Sequence, residues 1–420
     1  MNRKLLAVAV VAVLFVSGIG IYYVTDNHGS DAEEKGTSGT TITDYAEREV
    51  VVPDNLDNGI VTVGRLSTLR WLAYFPEAME HVIMIDKGIQ SSASSGAGGL
   101  GYSYAAAYHS LLVNCQTHTN DSLTSADMET IHNLNPSLVL VNDSTYNSYK
   151  EAVDTLAGYV TVVVIDSMQN AESVAFWDSD YQLNERFTSQ ANLYGSILNM
   201  TARAEAVVGE FNAVLSEIHG LSSGDTTCVA YTAGCTHKGC NPLNCTFPAY
   251  IPLLLTNITN AAASRSSSTD QMITLDAEDF TTLSFNTVVV DPSSMNVIGL
   301  KDSQLVLEYL YRLNNDDNNT NDVSILVTIP EISHGANWDC ALASAYFMAY
   351  SMYNTGLTAT QLLEKINAMF DFFYGEDCGV VSSMQEYYTE LSSSTGQTLN
   401  LFTAADIVNT DGVYSLVSES

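Results

Sequence analysis

The chain has 420 residues, 46% of them hydrophobic, enough to bury the cores of two domains or one large two-lobed unit. Its 48 acidic residues against 15 basic ones leave a formal net charge of −33. That balance excludes nucleic acid as a partner, because a binder needs Lys and Arg to neutralise phosphates, and it repels an anionic lipid surface. Two readings of the acidity remain: a solubilising surface for a salty exterior, or a surface that gathers cationic ligands.

Arg3 and Lys4 precede an uncharged stretch from Leu5 to Val24, about 30 Å long as a helix, the thickness of a bilayer core. Acidic residues follow it, so residues 1–24 read as an uncleaved anchor with the bulk of the chain outside, in place of a cleaved signal. Residues 25–40 are a polar, Gly/Ser/Thr-rich tether. Six Asn-x-Ser/Thr sequons, at Asn120, Asn142, Asn199, Asn244, Asn257 and Asn318, agree with an exterior location. Seven cysteines in an oxidising compartment imply some disulfides and at least one unpaired thiol.

Beyond the tether, short β-branched runs recur: "IVTV" (60–63), "VIMI" (82–85), "LVLV" (138–141) and "TVVVI" (161–165), then "CVAYT" (228–232), "TVVVD" (287–291) and "ILVTI" (325–329). Continuous apolar runs suit strands buried on both faces, and helical patterns fall between them, which is the alternation of an α/β fold with mostly parallel sheets. The halves echo each other: "SADMETIHNLNPSLVLVND" and "DAEDFTTLSFNTVVVDPS" each give an acidic helix start, a short amphipathic helix, a turn and a buried strand. Residues 184–221 contain no proline and predict one long helix joining two Rossmann-like lobes, 41–183 and 222–420.

Four local patterns carry candidate chemistry. "GAGGLG" (96–101) satisfies G-x-G-x-x-G formally, but the preceding "IQSSASS" is not a strand, so it reads as a cleft-edge loop and not a dinucleotide site. Arg65 and Arg70, with Trp71, follow the first strand, where guanidinium recognition of an anionic group competes with an ion pair and a core Trp. "PEISHGANWD" places Glu331, His334, Asn337 and Trp338 after a later strand, with His334 a metal-ligand candidate alongside Tyr231 or Glu331. "YTAGCTHKGCNPLNC" (231–245) allows three readings: a local disulfide among Cys235, Cys240 and Cys245, a metal site using Cys235, His237 and Cys240, or free and distantly paired thiols. The 23 tyrosines offer stacking faces for aromatic chelators. With no G-x-S-x-G, H-E-x-x-H or Walker motif, the chain does not read as an enzyme.

Several segments together resemble the substrate-binding proteins of ABC importers in the class with two α/β lobes joined by one rigid helix, which handles ferric siderophores, haem and corrinoids. The resemblance spans roughly residues 41–400. "TITDYAEREVVVPDN" is similar to the family's entry motif, with Glu47 where Gly is usual. "STLR", including Thr68 and Arg70, resembles a family turn, and "TIHNLNPSLVLV" has Ser137 in place of the usual Asp. "VAYTAGCTHKGCNPLNCTFPAYIPLLLTNITNAA" resembles an archaeal and anaerobe branch, matching at Gly234, Lys238, Gly239 and Pro248 to Tyr250, while its three cysteines depart from it. "TIPEISHGANWDCALASAYFMAYSMY" is similar to a later motif, with Trp338 matched. At "YSYAAAYH", Tyr104 is kept but a family Arg is absent.

The resemblance implies a receptor that captures a metal chelate between its lobes and passes it to ABC permease and ATPase subunits. Its ligand contacts would come from Arg65, Thr68, Arg70, Trp71, Tyr104, Tyr231, His237, Lys238, Tyr250, His334, Asn337 and Trp338, with no resident cofactor. An acid on each lobe would dock the permease, with Glu77, Glu80, Asp276, Glu278 and Asp279 as candidates. The alternatives are a cell-surface structural or adhesive protein reusing the fold, and a bare metal-ion receptor.

Overall fold

A computed structural model describes residues 39–64, 67–99, 101–120, 122–168, 176–234, 239–240, 242–266, 272–316, 322–331 and 336–418. The stretch Leu5–Val24 on which a membrane anchor was expected lies outside these residues. Among the described residues no helix is long and apolar enough to cross a membrane. The expected location as a single-pass cell-membrane protein is therefore not retained.

The fold opens with an antiparallel hairpin of β1 (Gly39–Thr43) and β2 (Glu49–Pro53). Its turn is organised by Asp44, whose carboxylate accepts from the backbone N–H groups of Ala46 and Arg48 at 3.0 Å and from the Arg48 guanidinium at 2.6 Å. The same carboxylate accepts from Val164 N at 3.0 Å, which docks the hairpin on the first sheet. Glu47 sits in that turn at φ +59°, a left-handed conformation that explains why the resembled family uses Gly there.

Two sheets follow. The first has the order β5-β4-β3-β6-β7, with β3 Ile60–Val63, β4 Val82–Asp86, β5 Gln116–His118, β6 Leu138–Asn142 and β7 Val162–Ile165, all parallel. The second has the order β10-β8-β12-β13-β14-β15. Its parallel part is β8 (Val229–Ala233), β10 (Thr259–Asn260), β12 (Thr287–Val290) and β13 (Ser324–Val327). The antiparallel hairpin β14 (Thr403–Thr410) and β15 (Val413–Ser418) extends it. A small pair, β9 (Cys245–Thr246) with β11 (Ile273–Thr274), lies beside it. Every residue of β3, β6, β7 and β12 is buried, which is why their sequences run apolar without alternation.

The sequence echo between the halves corresponds to a repeated unit. In each sheet the first parallel strand, β3 or β8, neighbours a later strand, β6 or β12, that follows a capped helix. Thr124 and Asp127 form a capping box on Ser125–Leu134, and the Asp276 side chain caps Ala277–Thr281. Both first strands end in a left-handed glycine, Gly64 at φ +102° and Gly234 at φ +72°. A Cβ on Gly64 would lie 2.4 Å from the Asn142 side chain, and one on Gly234 would lie 2.2 Å from Ser294 Oγ.

The long helix expected over 184–221 is two helices, Glu185–Ile197 and Thr201–Leu221. Asn199 at φ +55° breaks it, and Met200 N bonds back to Gly195 O at 2.7 Å. Gly195 permits close packing of the two helices, since a Cβ there would come within 2.6 Å of Ala204 Cβ. An Asn that tolerates the left-handed region and a glycine at the crossing turn a continuous helical pattern into a bend.

The largest core runs through both halves of the chain. Trp71 packs against Tyr74, Phe187, Tyr194 and Trp338, the last at 5.4 Å between ring centres. The helix Trp338–Met352 is buried from Trp338 to Ala349. The next helix, Ala359–Tyr374, returns to the first lobe, where Arg203 donates to Tyr74 O, Phe372 O and Phe373 O at 2.7–3.1 Å.

Replacing Glu47 with Gly removes a left-handed strain of about 1 kcal/mol and adds a somewhat smaller unfolded-state entropy cost. The expected outcome is a net gain of about 0.5 kcal/mol in urea unfolding; a loss would mean that the Glu47 side chain itself supports the turn.

Candidate functional site

Parallel strands send their connections to opposite faces where the strand order reverses, and a crevice opens at their C-terminal ends. In the second sheet that point lies between β8 and β12. A small pocket of about 10 Å³, room for about one water, sits there, lined by Thr232, Gly234, Phe247, Tyr250, Val289, Asp291 and Glu331.

Each wall is held by an identifiable device. Thr232 and Thr246 share a hydroxyl hydrogen bond at 2.8 Å, and Asn260 Nδ2 donates to Phe247 O and Pro248 O at 3.0 and 3.1 Å, pinning the segment that carries Phe247 and Tyr250. Cys240 and Cys245 are joined by a disulfide with Cα atoms 5.4 Å apart. Gly234 N donates to Cys245 O at 2.8 Å, and Tyr231 OH to Leu243 O at 2.9 Å, so the bridged loop closes over the strand end. Asp291 accepts from Ser293 N and Ser293 Oγ through Oδ1. Glu331 is fully buried, and its carbonyl accepts from Asn337 N at 2.7 Å. Two carboxylates, a hydroxyl and two aromatic rings equip this cavity for recognition.

Glu331 also leads directly to the contact with the first lobe. Asn337 Nδ2 donates to Gly101 O at 2.7 Å and to Pro330 O at 3.2 Å. Gly101 ends the glycine-rich loop, which follows the helix Lys87–Ala93 and not a strand. A Cβ on Gly98 would lie 2.9 Å from Tyr387 Cβ, so its glycines serve close packing. Arg70 is 6% exposed, with its guanidinium 5.4 Å from the Tyr102 ring and 4.9 Å from the Trp338 ring. Its hydrogen bond is a long one, 3.4 Å to Tyr102 OH.

Beside it, Ser103 Oγ donates to Asp339 Oδ2 at 2.5 Å, Tyr374 OH donates to the same oxygen, and the two hydroxyls are 2.8 Å apart. Burial raises the Asp339 carboxyl pKa above its ordinary value, outweighing the hydrogen bonds from Ser103 and Tyr374 that lower it.

The sequence candidates divide into four groups. Tyr250 lines the cavity. Thr68, Trp71, Tyr104, Tyr231 and Trp338 are core side chains: Thr68 Oγ1 donates to Gly64 O, Tyr104 stacks on Tyr102, and Tyr231 packs against Phe280 and Phe285. Arg70 and Asn337 join the lobes. Arg65, Cys235, His237, Lys238 and His334 lie outside the described residues. Among the described residues no three His, Cys, Asp or Glu side chains converge to hold a metal ion. Sequence reasoning missed Phe247, Asp291 and Asp339. Asp291 carried a signal, an acid closing the β-branched run "TVVV" just before a proline.

No family model matches the sequence, and none of the curated proteins does. Solved structures do match in fold. A periplasmic solute-binding protein from Veillonella parvula DSM 2008 aligns with TM-score 0.54 at 12% identity, covering 84% of this chain and 98% of its own. A TroA-like periplasmic binding protein, FepB, from Veillonella parvula aligns with TM-score 0.53 at 12% identity, covering 80% and 96%. An ABC transporter solute-binding protein from Sulfurospirillum deleyianum DSM 6946 aligns with TM-score 0.50 at 11% identity, covering 80% and 95%. All three are named as binding proteins, and two of them as periplasmic. The fold is that of the solute-binding proteins of ABC transporters.

Two outcomes test this geometry. Cys245→Ser should lower stability by about 2 kcal/mol, the loop-closure contribution of so short a bridge, and a reductant should lower the melting temperature of the native chain but not of the variant. For Asp339, a raised folded-state pKa gives stability that is complete below the ordinary carboxylate value, about 4, and is lost as pH rises through the folded value. Asp339→Asn keeps an acceptor oxygen without the charge. Urea unfolding from pH 4 to 8 should show the native chain losing ground to this variant as pH rises; the opposite slope would show the hydrogen bonds outweighing burial.

Proposed function

We propose that this chain is the solute-binding component of an ABC importer, taking a metal chelate such as a ferric siderophore, haem or a corrinoid and handing it to the permease and ATPase subunits. The observation that carries the reading is the convergence of Phe247, Tyr250, Asp291 and Glu331 on a small pocket at the C-terminal ends of β8 and β12, linked through Glu331 and Asn337 to the lobe contact. Aromatic walls suit flat or ring-bearing chelates, and buried carboxylates suit groups that donate hydrogen bonds or carry positive charge. The fold likeness to ABC-transporter binding proteins supports the role, while the chelate class rests on the cavity and on the motif resemblance. His237 and His334 are the further ligand contacts this reading assigns, together with Arg65 and Lys238 for an anionic group.

Native mass spectrometry of the full chain against ferric chelates, haem, cobalamins and free divalent ions tests it. The expected result is one bound chelate per chain, with affinity reduced about tenfold or more in Tyr250→Ala, since a lost aromatic contact is worth about 1.4 kcal/mol or more. A bare ion lost on replacing His237 and His334 would convert the reading to a metal-ion receptor. No bound species from a folded chain would overturn the receptor role.

A further inference from the structure

The six sequons are not equivalent once folded. Asn142 is buried, its Oδ1 accepts from Thr145 N at 2.8 Å as a helix cap, and its Nδ2 donates to Ser67 Oγ at 2.8 Å. Asn244 is buried, its Nδ2 donates to Leu275 O, and the next residue is the bridged Cys245. A sugar on either amide nitrogen would remove a structural hydrogen bond and place a polar mass inside the fold, whether attached before or after folding. Asn120 holds the Gly88 N–H through Oδ1, and Asn318 lies outside the described residues.

Asn199 and Asn257 are placed differently, at the surface. Each is exposed, each is followed two residues later by an exposed threonine, Thr201 or Thr259, and each sits in a left-handed turn, at φ +55° and φ +54°. Asn257 makes a 3.3 Å contact from Nδ2 to Tyr181 OH at the surface, and Asn199 is engaged through its backbone. Asn257 leads into β10 at the edge where the strands of the second sheet begin, opposite the strand ends that frame the cavity. Asn199 lies one turn before Arg203, which binds Tyr74 O beyond the helix that leads away from the end of β3. Glycans at both positions would leave the cavity open.

We infer that Asn199 and Asn257 are N-glycosylation sites and that Asn142 and Asn244 are not. The inference rests on the reading of the chain as an exported binding protein. The donor is a lipid-phosphate-linked oligosaccharide. Asn Nδ2 forms the bond to the anomeric carbon, the bond from that carbon to the phosphate oxygen breaks, the lipid phosphate leaves with the electron pair, and Nδ2 loses a proton.

The test is glycopeptide mass mapping of the full chain purified from the cells that make it, with a membrane-impermeant amine reagent applied to the intact cells. The expected result is a labelled chain with saccharide mass on the Asn199 and Asn257 peptides and none on those of Asn142 and Asn244. Thr201→Ala and Thr259→Ala, which keep each Asn but end its sequon, should each remove one modification. A labelled chain bare at both sites, or one modified at Asn142 or Asn244, overturns the inference while export stands. An unlabelled chain overturns the export reading, and the glycans with it.

Discussion

Trp338 against Trp71 is the contact on which the rest of the molecule depends. One ring comes from the short helix Ser67–Leu72 that follows β3, the other from the start of a buried helix supplied by the second half of the chain. Around them Phe187, Tyr194 and Tyr74 complete an aromatic core in which truncating one large ring costs about 3–5 kcal/mol. The polar groups of this region are placed to be compatible with it. Arg70 spreads its charge over two ring faces, and Asp339 is held by two hydroxyls from different parts of the chain. Because close-packed cores do not deform continuously, two halves that share one core are confined to small relative displacements.

Outside that shared core, the strand ends are where the backbone opens. The first parallel strand of each sheet stops at a glycine whose missing side chain is replaced by a neighbour's polar group, Asn142 in one lobe and Ser294 in the other. Each backbone can then turn sharply at the point where the sheet opens. In the second lobe the turn is reinforced by the Cys240–Cys245 bridge and by Asn260, so the cavity walls are held by contacts within the chain itself. Preformed walls spare a ligand the cost of ordering them.

Much of the architecture was legible because its physics is local. Strands covered on both faces must be apolar at every position, so "IVTV", "LVLV" and "TVVVD" announced a parallel sheet without any alternation. The repeated helix-turn-strand unit was readable from its acidic caps. The bend at Asn199 was not, since the apolar periodicity continues through it and no proline interrupts it; the close approach of Gly195 and Ala204 decides it. Of the site, Tyr250 could be picked out by resemblance. Phe247 and Asp291 could not, because each becomes a wall only when segments more than forty residues apart meet.

The sequence by itself determined the α/β class, the order of buried strands, the duplicated unit and the unsuitability of so acidic a surface for nucleic acid. These follow from periodicity, capping and charge, which act over a few residues or over the whole composition. Only the tertiary structure decided which aromatic residues are core and which face a cavity, which asparagines are buried caps and which are exposed, and that the lobes share one hydrophobic interior. Those outcomes depend on which distant surfaces come together, and a side chain's type does not say what will be packed against it.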